Sequence, residues 1–155
     1  AFAAFGEVIE PRPDAQRYAI NEGYAERFHA LAHADTSSDG GQTVISIFRS
    51  RARPFPLHLK LVERHRLGSQ AFIPLNGQRF LIVVAPPGPA PSASQLRCFL
   101  AQSGQGVNYH RGTWHSPLLG IDAGGDFLVI DRGGPQANPD CEEHDLGEGL
   151  VLQQV

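Results

Sequence analysis

Within Glu63-Arg64-His65 a carboxylate and an imidazole stand two residues apart, a spacing that puts both side chains on one face of a β-strand. The preceding Leu57-His58-Leu59-Lys60-Leu61 alternates strictly. Glu63 and His65 continue in the phase of the leucines, not of His58 and Lys60, so both are expected to point inward. A turn at Leu67-Gly68-Ser69 follows. Gln70 then enters the apolar run Ala71-Phe72-Ile73, which stops at Pro74 and turns at Asn76-Gly77. Polar groups able to act as ligands are costly to bury in an apolar strand unless they serve a site. Histidine is the natural base near neutral pH, and a neighbouring carboxylate can tune it or act as its partner.

The elements that must hold these residues read as short strands. Phe5–Ile9, Tyr18–Asn21, Thr43–Arg49, Arg79–Ala85, Leu96–Ala101, Val107–His110, His115–Ile121 (across Pro117) and Asp126–Asp131 are each expected to be extended. Apolar flanks around Ser46 predict that the Thr43–Arg49 strand is partly buried on both faces. Tyr24, Phe28 and Leu31 have the spacing of one helical face, so a short helix is expected within Glu22–Ala34. The segment after Asp131, up to Gly149, reads as a Gly/Asp/Glu-rich tail, with Leu150-Val151-Leu152 as an edge strand or a contact with another subunit. The 17 glycines and 12 prolines suit many strands joined by tight turns. The expected class is all-β, a barrel or jelly roll with one or two short helices, in a single domain spanning residues 1–155.

With 41% hydrophobic residues the chain can bury a core, and a net charge of -3 argues against nucleic-acid or membrane partners. No apolar run approaches a membrane span, and Ala1–Gly6 lacks the charged lead and long apolar stretch of a signal peptide. Cys98, in a strand-like run, is expected to be a buried free thiol, and Cys141 to sit in an exposed loop. Two such cysteines fit a reducing, cytoplasmic setting.

Two spacings resemble the cupin family of small β-barrels. Glu63-x-His65, four residues, Gln70, six residues, Gly77 occupies the frame of the first cupin motif. Gly104, five residues, His110-x-Gly112-x-x-His115 occupies the frame of the second. The resemblance makes Glu63, His65, Gln70 and His115 the four metal-ligand positions, two of them changed from the usual His and Glu. It narrows further. Leu61–His65, Ser69–Pro74, Gly104–Pro117 and Asp131–Gly134, with Phe5–Ile9 and Ile45–Arg49, are similar to the ureidoglycolate lyase family, formerly known as ureidoglycolate hydrolase. That resemblance covers nearly the whole chain. It implies a cupin-type double-stranded β-helix barrel, usually a homodimer, that splits (S)-ureidoglycolate into glyoxylate and urea in purine (allantoin) catabolism.

The residue chemistry suits that small-molecule substrate. Ureidoglycolate carries a hydroxyl, a carboxylate and a ureido nitrogen on one carbon. Breaking its C–N bond needs a base for the hydroxyl proton, an acid or electrophile for the departing urea and a cation for the carboxylate. His65 or His115 would move the proton, with Glu63 as partner. Arg49 would bind the carboxylate with its bidentate fork, and Gln70 would hydrogen-bond the ureido group. Tyr109 and His110 line the mouth or pack between strands. A divalent ion, if bound, would polarise the hydroxyl, with His115 a ligand and not the base.

Plainer readings stand beside these. His65 alone would be a satisfied core histidine, Gln70 a turn amide, Trp114-His115 a packing corner, and Arg49 with Arg51 and Arg53 a solvated charge run. Arg64 and Arg66 are expected to face water, and Asp131–Arg132 forms an internal salt bridge or touches substrate. A metal-dependent cupin oxygenase or isomerase would want two histidines and a carboxylate, which Glu63, His65 and His115 could supply. A non-catalytic barrel that binds a small hydroxy acid would ordinarily bring a DNA-binding segment, and none is visible.

Overall fold

β7 (Phe80–Ala85) is buried at every position, and its alternate residues feed two different cores. Phe80, Ile82 and Val84 join one cluster, and Leu81, Val83 and Ala85 the other. A strand with both faces covered needs no polar alternation, which is why Phe-Leu-Ile-Val-Val-Ala is continuous in apolar residues. Fully burying side chains of this size is worth about 1.5–3 kcal/mol each.

The structure is a computed structural model that describes residues 1–136 and 139–154. β1 (Gly6–Ile9), β4 (Gln42–Ser50), β6 (Gln70–Pro74), β9 (Gly106–Tyr109) and β12 (Gly125–Gly133) form a five-stranded sheet in the order β1-β9-β6-β12-β4. The second sheet contains β5 (Leu57–His65), β7, β8 (Arg97–Ala101), β10 (Trp114–His115), β11 (Leu119–Gly120) and β13 (Cys141–Leu152). β8 runs along one edge of β7, and β10 and β11 follow one another along the other. Phe72, Val107, Tyr109, Phe127 and Val129 of the first sheet meet Phe80, Ile82 and Val84 of the second, filling the space between the sheets. Trp114, Val62, Leu57, Leu59 and Leu119 pack in the other cluster. The expected all-β, cupin-type barrel is what the chain forms. Its helical content among the described residues is four 3₁₀ turns.

Several expectations change. The helix expected within Glu22–Ala34 is a hairpin instead. β2 (Arg17–Ile20) pairs with β3 (Ala25–Phe28) through a turn whose Asn21, Glu22 and Gly23 all have positive φ, which breaks a helix at its first turn. Tyr24 is 91% exposed at the hairpin tip. The strand expected across Pro117 splits into β10 and β11, because proline offers no N–H to the ladder. The acidic tail is largely β13, a twelve-residue edge strand on β5 whose pairing jumps between Asp145 and Leu150. Cys141 opens that strand, and Cys98 is exposed rather than buried.

β4 is also less buried than expected. It is the last strand of its sheet, with β12 its neighbour, and Ile45 and Ile47 are 67% and 54% exposed. Register places Leu128 opposite Ile47 and Ile130 opposite Ile45, so one face of the sheet is apolar and open in the single chain. Arg64 does not face water. Its guanidinium lies 4.5 Å over the Trp114 ring and donates to Glu142 and to the Gly88 carbonyl.

Candidate functional site

Strand pairing brings the polar residues together. His115 on β10 lies directly opposite Glu63 on β5 and, on its other side, opposite the core residue Val84. Glu63 and His65 therefore share the interior face, whereas Arg64 between them turns to the opposite face of the sheet, over the buried Trp114. By strict alternation Leu57 and Leu59 would share that face too, yet they pack with Val62 and Trp114 in the other cluster. The pair does point inward, but not by the leucine phase: Leu57 and Leu59 fall in the same cluster as Val62, so the alternation slips before Glu63. Gln70 opens β6 opposite Tyr109 on β9, both buried. Gly112, at φ +78, makes the turn into β10, and its N–H donates to the His65 carbonyl at 2.8 Å. The glycine permits the left-handed backbone that ties the two histidine-bearing segments together.

Ligand atoms of Glu63, His65 and His115 all lie within 4.8 Å of one another. The His65 and His115 rings stack at 5.5 Å between centroids. Tyr109 also stacks on His115, with centroids 4.3 Å apart and the rings 10° from parallel. His115 is 1% exposed. Its Nδ1 lies 3.1 Å from the Ser116 carbonyl, and because a carbonyl only accepts, Nδ1 carries the proton. Burial first, and the neighbouring His65 second, push His115 down to about 3, against the Ser116 bond, so the ring is neutral near pH 7. Burial raises the Glu63 carboxyl above its ordinary value; nearby His65 opposes the shift and Glu143, paired opposite on β13, adds to it. Burial also raises the Tyr109 hydroxyl, with the Glu63 charge second. The Cys141 thiol lies 3.9 Å from Glu63, and burial followed by the surrounding carboxylates lifts it to about 11, so it stays protonated.

Two acids stand behind the site residues. Gln70 Nε2 donates to Asp131 at 3.1 Å. A carboxylate accepts and cannot donate, so the amide nitrogen must face Asp131, and Oε1 is left buried without a partner. Asp140 Oδ2 lies 3.7 Å from His65 Nδ1. In the sequence Asp140 is one residue of a loop before Cys141, and nothing local links it to His65. Asp131 does not take Arg132 as its partner. Neighbouring residues on a strand point to opposite faces, and Arg132 instead donates to the Ser38 and Asp39 carbonyls.

Of the expected site residues, Glu63, His65, Gln70, His115 and Tyr109 come together. His110 does not: it is exposed, with its N–H on the Phe5 carbonyl. Nor does Arg49. It follows the outward phase of Ile45 and Ile47, opposite the inward Phe48 that meets Phe72, and its Nε and Nη2 both donate to Asp126. The expected carboxylate clamp is therefore on the wrong face of β4.

Buried, unpartnered atoms on His65 (Nε2), Gln70 (Oε1) and His115 (Nε2), together with the Glu63 carboxylate that lies 3.9 Å from His115 Nδ1, are donor types that suit a divalent ion. Two packed antiparallel sheets with such a cluster between them are consistent with a cupin-type protein. The profile of the family described as Ureidoglycolate lyase matches residues 1–153. A relative named ureidoglycolate lyase from Azotobacter vinelandii (strain DJ) is 53% identical over 98% of this chain and 90% of its own. One of the same name from Pseudomonas savastanoi pv. phaseolicola is 50% identical over 98% of this chain and 88% of its own. The chain belongs to the ureidoglycolate lyase family. A solved dTDP-6-deoxy-D-glucose-3,5-epimerase from Legionella pneumophila aligns over 97% of this chain and 86% of that one, at TM-score 0.44 and 14% identity, too distant to add to the assignment.

Proposed function

We propose that this chain is a carbon–nitrogen lyase that splits ureidoglycolate into glyoxylate and urea, a step of purine (allantoin) catabolism in the cytoplasm. The observation that carries the reading is the convergence of Glu63, His65 and His115 within 4.8 Å inside the barrel, with Gln70 buried opposite Tyr109, the ring that stacks on His115. His115, held near 3, is too weak a base to work at neutral pH, so His65 takes the proton-transfer role. His65 accepts the hydroxyl proton, and the oxygen's electron pair closes to the glyoxylate carbonyl. The C–N pair leaves with the ureido nitrogen, which takes the same proton back from the imidazolium. No water enters and no ammonia leaves. Glu63, on the same face as His65, stabilises the imidazolium between the two transfers. The Gln70 carbonyl, turned away from Asp131, accepts a ureido N–H.

A second reading rests on the unpartnered donor atoms. Glu63, His65, Gln70 and His115 would together hold a divalent ion. Such an ion would supply a cation for the substrate carboxylate and lower the pKa of its hydroxyl. The arginines nearest these blocks are engaged elsewhere: Arg49 with Asp126, Arg64 with Glu142, Arg111 with Ser38 and the Arg66 carbonyl, and Arg132 with backbone carbonyls.

A homodimer is part of the proposal. The open apolar face of β4 and β12 supports it, because an area of this kind on an edge strand is ordinarily covered. The deciding experiment follows glyoxylate, urea and ammonia together from racemic ureidoglycolate, with and without a chelator. Equal glyoxylate and urea without ammonia is the expected result, and chelator sensitivity selects the metal reading. Folded protein that forms no glyoxylate under either condition refutes the lyase.

A further inference from the structure

We propose that Asp140 is the positioning residue for His65, fixing the imidazole proton on Nδ1 so that Nε2 keeps its lone pair for the site. The proposal rests on the site reading above, and it holds whether Nε2 serves as base or as metal ligand.

Asp140 is built into place from several directions. Its carbonyl accepts the Arg66 N–H at 3.0 Å, and its Oδ1 accepts the Leu67 N–H. The next residue, Cys141, pairs across the ladder with His65 itself. The turn after β5 and the entry to β13 are thus stapled together around one carboxylate, whose side chain is 9% exposed. With Oδ1 engaged, Oδ2 is left buried and without a hydrogen-bond partner, facing His65 Nδ1 at 3.7 Å. That distance exceeds a hydrogen bond, and a small side-chain rotation closes it. An unmatched carboxylate oxygen in such a place is costly, and the imidazole N–H removes the cost. Because the carboxylate only accepts, it selects the Nδ1–H tautomer. Nε2, also buried and without a partner, is then the nitrogen free for chemistry.

Asp140→Asn separates this role from a structural one. The Leu67 N–H still requires an acceptor, so the amide oxygen takes that place and its NH₂ group faces His65 Nδ1. Nδ1 must then accept, and the proton moves to Nε2. Imidazole ¹⁵N spectra of purified protein, before and after chelation, read the tautomer directly, with His65→Gln identifying the resonance. The expected result is Nδ1–H in the wild type and Nε2–H in Asp140→Asn. Turnover of ureidoglycolate should fall about 10–100-fold in Asp140→Asn, with KM within about twofold of the wild type. Asp140→Ala forces neither tautomer and should lose less turnover than Asp140→Asn, although it is the less stable variant. An unchanged tautomer in Asp140→Asn, or activity losses that follow the order of stability, would overturn the proposal. If the wild type does not split ureidoglycolate, the function proposed above fails in that assay, while the tautomer measurement still decides the role of Asp140.

Discussion

Replacing His115 by Gln should flatten the acid limb of the stability curve. In the folded chain the buried ring protonates only near about 3, against 6.5 when exposed in the unfolded chain. Between those values the unfolded state binds a proton that the folded state does not, so acid favours unfolding and stability rises with pH across the window. Each pH unit of the gap is worth about 1.4 kcal/mol. Going from above 6.5 down to about pH 5 therefore costs the wild type about 2 kcal/mol, and the full window about 5 kcal/mol. The glutamine side chain of His115→Gln cannot titrate, and its amide can still donate to the Ser116 carbonyl, so the variant should lack this component. The assay is urea denaturation of both proteins in chelator at about pH 8 and about pH 5. With a slope of about 1–3 kcal/mol per molar urea, the wild-type midpoint should drop by on the order of 1 M more than that of the variant. The absolute stability of the variant will be lower, since it loses the ring packed on Tyr109. Parallel pH dependence in the two proteins would refute the reasoning and place the His115 ring in contact with water or with a compensating acid.

Other outcomes follow from the same geometry. Ile47→Asp puts a charge in the middle of the open apolar face and should convert a dimer to monomer by sedimentation without unfolding it; a wild type that is already monomeric would refute the dimer. Arg49→Ala should leave KM for ureidoglycolate within about twofold, because the guanidinium is held by Asp126 on the outer face of its sheet. A rise of about tenfold or more would return it to the substrate. Phe127→Ala, at 0% exposure and in edge contact with Phe80, should lower unfolding stability by about 3–5 kcal/mol in chemical denaturation. A loss under about 1 kcal/mol would mean that the core between the sheets is not packed around it.

Much of this molecule can be read from its residues. A two-residue period puts Glu63 and His65 on one face, and the apolar run of β7 announces a strand covered on both sides. The turns at Gly77 and Gly112 follow from the glycines themselves. Local periodicity reports which side chains share a face, because that depends on backbone pleat alone. It does not report which strands adjoin. The meeting of His115 with Glu63 depends on the register of β10 against β5, and the stacking of Tyr109 on His115 depends on how two sheets close over one another. The same limit explains the errors. Arg49 sits on a strand that does line the barrel, but with side chains alternating, its phase sends it outward. Ile45 and Ile47 look like core, but they share the outward phase of Arg49, on a face of the sheet that is open in the single chain. Asp140, in a stretch with no periodicity to read, acquires meaning only when β13 folds back along β5 and brings its carboxylate beside His65. Chemistry-bearing residue types and the strands that carry them are local properties of the sequence. Which of those residues meet, and which acid stands behind each, is decided by long-range pairing.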